Sequence, residues 1–292
     1  MKDDTKQYRY CGRDFSLEEM ETIRQIIASD DRPNRVKISR LVCESFGWYK
    51  RDGGLKEMSC RVAMLRMERD GLIKLPPPEK GNGNRTARVT VTNASDPQMP
   101  VSMGAGDLGP LTLELVAKGQ SSKLWNELIE RYHYLGYKPL PGAQLRYFVF
   151  SGSGLLAALG FGASAWTVAE RDRYIGWTAG QRKNNLHLVV NNARFLILPW
   201  VQSPNLASRI LSLACKQIKD DWHNKYNYSP VLLETFVEID RFAGTCYRAA
   251  NWKQVGMTTG RGKLNRDHQK KLPPKYIMLY ALAKNFKEQL CS

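Results

Sequence analysis

The sequence predicts an α+β protein in which an N-terminal helical, winged-helix-like module precedes a mixed α/β domain. Three observations carry that reading. Apolar residues recur at helical spacing three times over residues 14–75 and end in a short strand-like run. A Pro- and Gly-rich break follows over residues 76–110. From 111 to 292, strand-like runs alternate with helical ones, the pattern of helices packed against a sheet. The divisions expected are 1–80 for the helical module, 81–110 for a turn, a candidate wing strand and a linker, and 111–292 for the α/β domain.

Each element has a local cause. Ser16-Leu17-Glu18-Glu19 is a capping box, a hydroxyl at the N-cap with a carboxylate three residues on. Leu17, Met20, Ile23, Ile26 and Ile27 then follow a helical stripe. A second helix carries Val36, Ile38, Leu41, Val42 and Phe46 and ends near Gly47. A third presents Leu55, Met58, Val62 and Leu65 as its core stripe, stops at Gly71, and leads into the strand-like Leu72-Ile73-Lys74-Leu75. Its outward face is then read as Lys56, Ser59, Ala63 and Met67, with Arg61 and Arg66 at the margins. Pro76-Pro77-Pro78 breaks regular structure, Gly81-Asn82-Gly83-Asn84 forms a turn, residues 85–92 alternate as a wing strand would, and 93–110 read as a linker.

In the second part, a helix carries Leu124, Leu128, Ile129 and Tyr132. Ser151-Gly152-Ser153-Gly154 between two apolar runs is a hairpin signature. A long strand runs into Pro199, a helix occupies about 204–222, and PVLLETFVE reads as a strand. A short helix near 244–251 and two further strands, WKQVGMT and KYIMLYAL, follow.

Charge narrows the function. Lys and Arg number 44 against 28 Asp and Glu, a net +16, which favours a polyanionic partner, nucleic acid and DNA in particular. A membrane partner is not expected, because no apolar run is long enough to span one. Six cysteines show no CxxC pair and no zinc-finger spacing, so they read as reduced thiols of a cytoplasmic protein, and no metal site is expected. Residues 253–275 hold seven Lys and Arg against one Asp. Lys253, Arg261, Lys263, Arg266, Lys270 and Lys271 there form a basic loop able to follow a phosphate backbone. Lys56, Arg61 and Arg66 on the third helix, and Arg171 and Arg173, are further candidates for nucleic-acid contact; an internal ion pair explains the last two as well.

Candidate chemistry concentrates between 194 and 256. A strand passes through Gln202-Ser203-Pro204-Asn205 into a helix beginning at Leu206-Ala207-Ser208, and free amides at a helix start attract anions. Glu234 and Glu238, with Asp240, alternate on or after a strand and suit a general base or a metal; a solvated sheet edge is the alternative. His133 reads as a general base or a structural histidine, and Cys246 as a nucleophile or a buried small hydrophobe.

Two resemblances organise these residues. The segment from the strand before Pro199 to Cys246-Tyr247-Arg248-Ala249-Ala250-Asn251-Trp252 resembles the GNAT acyltransferase fold. That resemblance implies an acyl-CoA-like donor held by Gln202, Ser203, Asn205, Ala207 and Ser208, and Tyr247 protonating the departing thiolate. The chain departs from that family's loop in having Asn205 for the first glycine and Pro204, which lacks an amide donor. At a finer level the chain resembles the DruA-like family of the Druantia anti-phage system, whose domains are also attached to some transposases. Leu41-Val42-Cys43-Glu44 with Trp48, Tyr134-Leu135-Gly136, Arg171-Asp172-Arg173 with Ile175-Gly176-Trp177, Asn191-Asn192-Ala193-Arg194-Phe195-Leu196, and Glu234-Thr235-Phe236-Val237 carry it. The expectation is therefore a DNA-associated anti-phage or mobile-element protein working with other defence-system proteins. It either modifies a nucleobase by group transfer or serves as a non-catalytic nucleic-acid sensor or recruiting subunit. A metal-dependent nuclease is the weaker alternative.

Overall fold

A computed structural model describes residues 8–29, 33–79, 89–260 and 272–292. The chain divides into two compact units, Met1–Ala87 and Arg88–Ser292.

The first unit opens with a hairpin absent from the sequence reading, β1 (Tyr8–Tyr10) paired antiparallel with β2 (Arg13–Phe15). Cys11 and Gly12 turn between them with φ of 49° and 79°, the left-handed pair that a two-residue hairpin requires. Helix α1 (Leu17–Ala28) starts at Ser16 with both halves of the capping box made. Helix α2 (Arg35–Ser45) is capped by Asn34, and α3 (Glu57–Arg69) ends where expected. Gly71, at φ 74°, lets its N–H reach Glu68 O and the Leu72 N–H reach Met67 O, the two bonds of a Schellman stop.

The phase of α3 corrects the sequence reading. Cys60, Ala63, Met64 and Met67 are buried against Ile38, Val42 and Cys43, whereas Met58 is 65% exposed and Val62 and Leu65 face outward. Small Cys60 and Ala63 let the helices approach closely, and unbranched Met64 and Met67 fill what remains. The more hydrophobic Leu and Val therefore lose the core side. Of the residues assigned to the outward face, Ala63 and Met67 are core and Lys56 and Ser59 are half-buried. Residues 72–75 form no strand; Ile73 and Leu75 seal this core as irregular chain, and the Leu75 N–H donates to the Glu68 carboxylate at 2.8 Å. The turn at 81–84 and residues 85–88 of the expected wing lie outside the described residues, and 89–92 form no strand.

The second unit is a mixed α+β body. In chain order its elements are β3 (Val101–Ser102), β4 (Thr112–Leu115), α4 (Gln120–Tyr132), β5 (Leu145–Ser151), β6 (Gly154–Ala163), α5 (Ala169–Ile175), α6 (Ala179–Asn185) and β7 (Val189–Ile197). There follow β8 (Val201–Gln202), α7 (Leu206–Tyr226), β9 (Leu232–Glu238), α8 (Thr245–Ala249), β10 (Lys253–Met257), β11 (Lys275–Ala281) and α9 (Phe286–Cys291). Among the described residues the main sheet has seven strands in the order β10-β11-β9-β7-β6-β5-β4. The hairpin expected at 151–154 joins β5 to β6. Helix α4 covers one face, with Arg146 reaching Asn126 and Ser122, and Trp125 lying against Gly160. Helix α7 covers the other, where the Tyr147 hydroxyl donates to Asp221 at 2.9 Å. Among the described residues no helix is long and apolar enough to cross a membrane.

Residues 93–110 are not a linker. Ser95, Val101, Ala105 and Leu108 are buried, β3 pairs in parallel with β8, and Arg209 of α7 donates to the Ala105 and Gly109 carbonyls. Upstream, Thr92 donates through its N–H and its hydroxyl to buried Glu127. Pro, Gly and Ser signal the absence of a regular period, not the absence of packing partners.

Candidate functional site

Strands β7 and β9 are parallel neighbours joined through α7, as parallel pairing requires a crossover. They pair only at Val189–Leu232, Val190–Leu233 and Asn191–Glu234, although β7 runs on to Ile197 and β9 to Glu238. Beyond Asn191 the strands part, and a cavity of about 560 Å³ opens between them. Asn192 and Phe195 line it from β7, Thr235 and Val237 from β9, His133 and Tyr134 from the segment after α4, and Phe242, Cys246 and Tyr247 from around α8.

A bulge shapes its wall. Arg194 pairs with Gly160 and Asn192 with Phe161, so two steps of β7 oppose one of β6 at Ala193. The bulge breaks the normal alternation and sends Asn192 and Arg194 to opposite faces. Asn192 meets the hydroxyl of Tyr247, which donates to its Oδ1 at 2.7 Å. The Asn192 amide nitrogen donates to Gly160 O and Arg194 O, and Thr235 Oγ1 donates to Asn192 O at 3.0 Å. Phe195 and Trp252 present ring edges to Tyr247 at 6.2 and 5.1 Å. Burial pushes the Tyr247 phenol well above its ordinary value, so it holds its proton at neutral pH. The arrangement is an immobilised phenolic proton donor on a largely aromatic wall.

Arg194 turns toward α4. It is nine-tenths buried and donates to the Ala193 carbonyl at 2.7 Å, and its Nε has no partner. Among the described residues no carboxylate pairs with it. Burial, and then the Arg194 charge, pull His133 down to about 4, so its ring is neutral near pH 7. His133 Nδ1 accepts the Leu135 N–H at 3.2 Å, which places the ring proton on Nε2; of the two readings from sequence, general base or structural histidine, this contact favours the second.

The other catalytic candidates separate. Glu234 is fully buried on the α5 side of β9, bonded to the Arg171 guanidinium at 2.8 Å and to the Ala165 N–H at 2.9 Å. Arg171, fully buried, also pairs with Asp172 at 2.8 Å. Glu234 is thus no free base, and Arg171 no phosphate ligand; the internal ion pair is the reading that holds. Glu238 is held by Arg241 at 2.9 Å, and Asp240 is exposed beyond the strand. Among the described residues no group of three His, Cys, Asp or Glu is placed to hold a metal. Cys246 lines the cavity, but burial pushes its thiol up, away from the thiolate a nucleophile needs.

The turn expected to hold a donor has a definite conformation. Asn205 takes φ 66°, the left-handed geometry that glycine serves in the family loop and that asparagine tolerates best of the other residues. Ser208 Oγ donates to Asn205 O, and Leu206 N–H to Ser203 O. Ser203 Oγ is buried without a partner, and the first-turn amides of Ala207 and Ser208 lie next to it in sequence. Gln202 is exposed. The orphaned Ser203 hydroxyl and the first-turn amides of α7 are donors of the kind a phosphate accepts, and Pro204 between them supplies no amide. Of the nucleic-acid candidates, Arg66, Arg173 and Lys253 are exposed, Arg173 paired with Glu170 and Lys253 lying 4.9 Å over the Tyr174 ring. Arg61 is half-buried near Glu57. Arg261, Lys263, Arg266, Lys270 and Lys271 lie outside the described residues.

Sequence reasoning missed Asn192, Thr235, Tyr134, Phe242 and Arg194 as site residues. Polar Asn192 and Arg194 at buried positions of an otherwise apolar strand were the available signal.

The family model described as Druantia protein DruA matches residues 66–269. No curated protein matches the chain. Among solved structures, the chain is similar to a Bacillus subtilis acetyltransferase in complex with CoA, at 9% identity over 60% of this chain and 100% of that one, with a TM-score of 0.37. It is similar at 9% identity to the ribosomal-protein-S18-alanine N-acetyltransferase of Escherichia coli, over 60% and 95% of the two chains, with a TM-score of 0.36. It is also similar to FeeM, an N-acyl amino acid synthase from uncultured soil microbes, at 14% identity over 59% and 90%, with a TM-score of 0.38.

Proposed function

Because the chain belongs to the family of the Druantia protein DruA, we propose that it serves anti-phage defence through a group-transfer site, acting on nucleic acid, in the cleft between β7 and β9. One observation carries this: two parallel neighbours part after three residue pairs, and the cavity so formed is faced by a protonated phenol locked to Asn192. A cavity of that size is typical of small-molecule sites.

In this reading Tyr247 turns its O–H from Asn192 to the leaving group and recovers a proton from the attacking acceptor, while Asn192 and Thr235 hold the phenol and the strand in place. His133 directs an Nε2–H at developing negative charge. Ser203, Asn205, Ala207 and Ser208 would hold a phosphate of an acyl-CoA-like donor, which supplies an activated acyl group. The net charge of +16, and exposed Arg66, Arg173 and Lys253, support a nucleic-acid acceptor.

A second reading concerns the first unit. Met58, Val62 and Leu65 form an exposed apolar stripe on α3, where a DNA-reading helix would show polar and basic groups. That stripe favours a recruiting role, with α3 docking another defence protein.

The test is nucleoside mass spectrometry of DNA from cells expressing the wild-type chain beside Tyr247→Phe. A new nucleoside mass confined to the wild type is expected. Identical spectra from the two folded proteins would remove the transfer reading and leave the recruiting one.

A further inference from the structure

The cavity has an aromatic rim that the proton-donor chemistry does not use. Tyr134, Leu135 and Phe242 line it and are 38%, 39% and 49% exposed. The rings are held in place by their neighbours. Tyr134 stacks on His133 at 4.9 Å and 26°, and Phe242 lies 5.5 Å from Tyr134. The Arg241 guanidinium sits 5.2 Å over the Tyr134 ring and is anchored by Glu238. Phe242 is the ring left open, and Tyr134, packed against His133 and Arg241, backs it, so little entropy is lost when a flat ligand settles there.

The wall behind the rings holds one cation with no carboxylate partner among the described residues. Arg194, nine-tenths buried, pairs with no carboxylate among the described residues, an arrangement that is costly for a buried charge unless an anion is supplied. Arg241, balanced by Glu238, adds a guanidinium plane at the rim. Flat aromatic faces flanked by guanidinium groups are what proteins use to bind unpaired bases and the phosphates beside them.

We propose that the Tyr134–Phe242 rim is a stacking platform for an unpaired nucleobase, so that the acceptor of the proposed transfer is single-stranded nucleic acid or a base drawn out of its duplex. The inference rests on the group-transfer reading and names its acceptor. A base inside an intact duplex cannot enter a cavity between two strands of a sheet, because its edge is paired and its faces are stacked. On the rim, Phe242 backed by Tyr134 replaces the lost stacking, and Arg194 behind it supplies the cation for the neighbouring phosphate.

The experiment measures binding of the full chain, by fluorescence anisotropy at fixed salt, to a labelled single-stranded oligodeoxynucleotide and to the same sequence as a blunt duplex. The single strand is expected to bind more tightly. Tyr134→Ala and Phe242→Ala should each weaken it about 5- to 150-fold, the loss of one base–aromatic stack. Phe242→Tyr should restore binding, which separates stacking from misfolding. Binding is read without any donor and transfer is read as a new nucleoside mass, so this test can fail while transfer stands, and transfer can fail while this test succeeds. Equal affinity for duplex and single strand, unchanged in the folded rim variants, overturns the proposal. So does a rim variant that weakens binding of an acyl thioester and leaves the oligonucleotide unaffected.

Discussion

Glu234 and Thr235 are neighbours on β9, yet they belong to opposite worlds. On the α5 side, Glu234 is closed off by Arg171, which also holds Asp172 and the Ala165 carbonyl, and Arg182 adds a further contact to Asp172 at 3.1 Å. On the other side, Thr235 faces an open cavity, and neutral hydrogen bonds link it through Asn192 to Tyr247. The carboxylate that invites a catalytic assignment from sequence is structural, and the groups bonded to one another inside the cavity are neutral, with the charged Arg241 at its rim. A charge deep in a protein is stable only when matched, and matching it removes it from chemistry. Hydroxyl and amide groups can be satisfied and still face a cavity.

The largest expected effect tests the closed side. Glu234→Ala leaves Arg171 buried beside a lost partner and should reduce stability by about 3–5 kcal/mol, measured by urea unfolding. A loss under about 1 kcal/mol would mean that Asp172 alone compensates the guanidinium, and the contrast between the two sides would weaken.

The open side should respond in the reverse way. Thr235→Val removes one hydrogen bond and should cost about 1 kcal/mol, while it loosens Asn192 and lowers the wild-type nucleoside modification more than its stability cost explains. Equal losses of modification and of folded protein would make Thr235 a packing residue only.

A third test concerns pH. His133 has its folded value lowered to about 4 from an ordinary 6.5, so the unfolded chain binds the proton more readily. Its contribution is fully present above about 6.5 and is lost as pH falls through about 4. His133→Gln should flatten the stability profile across that window, as read by denaturant midpoints. An unchanged slope would show that His133 is more hydrated than its contacts imply.

Much of the fold was legible along the chain. The capping box at Ser16 and Glu19, the stop at Gly71, the hairpin at 151–154 and the strand–turn–helix at 189–226 all follow from residues within a few positions of one another. Resemblance singled out Tyr247, and the cavity beside it and its partner Asn192 were not legible. The α3 stripe failed because hydrophobicity ranks Leu65 above Ala63, while close helix approach rewards the small residue.

Local chemistry therefore determined the capped helix starts, the glycine stop and the hairpin turn at 151–154, because caps, turns and periodicity involve only near neighbours. Tertiary structure alone decided which faces are buried, that residues 93–110 are packed, and which polar groups meet. Tyr247 and Asn192 are 55 positions apart, and Arg171 and Glu234 are 63 apart. Whether a side chain is a site or a strut depends on what lies opposite it, and that is set only when distant strands come together.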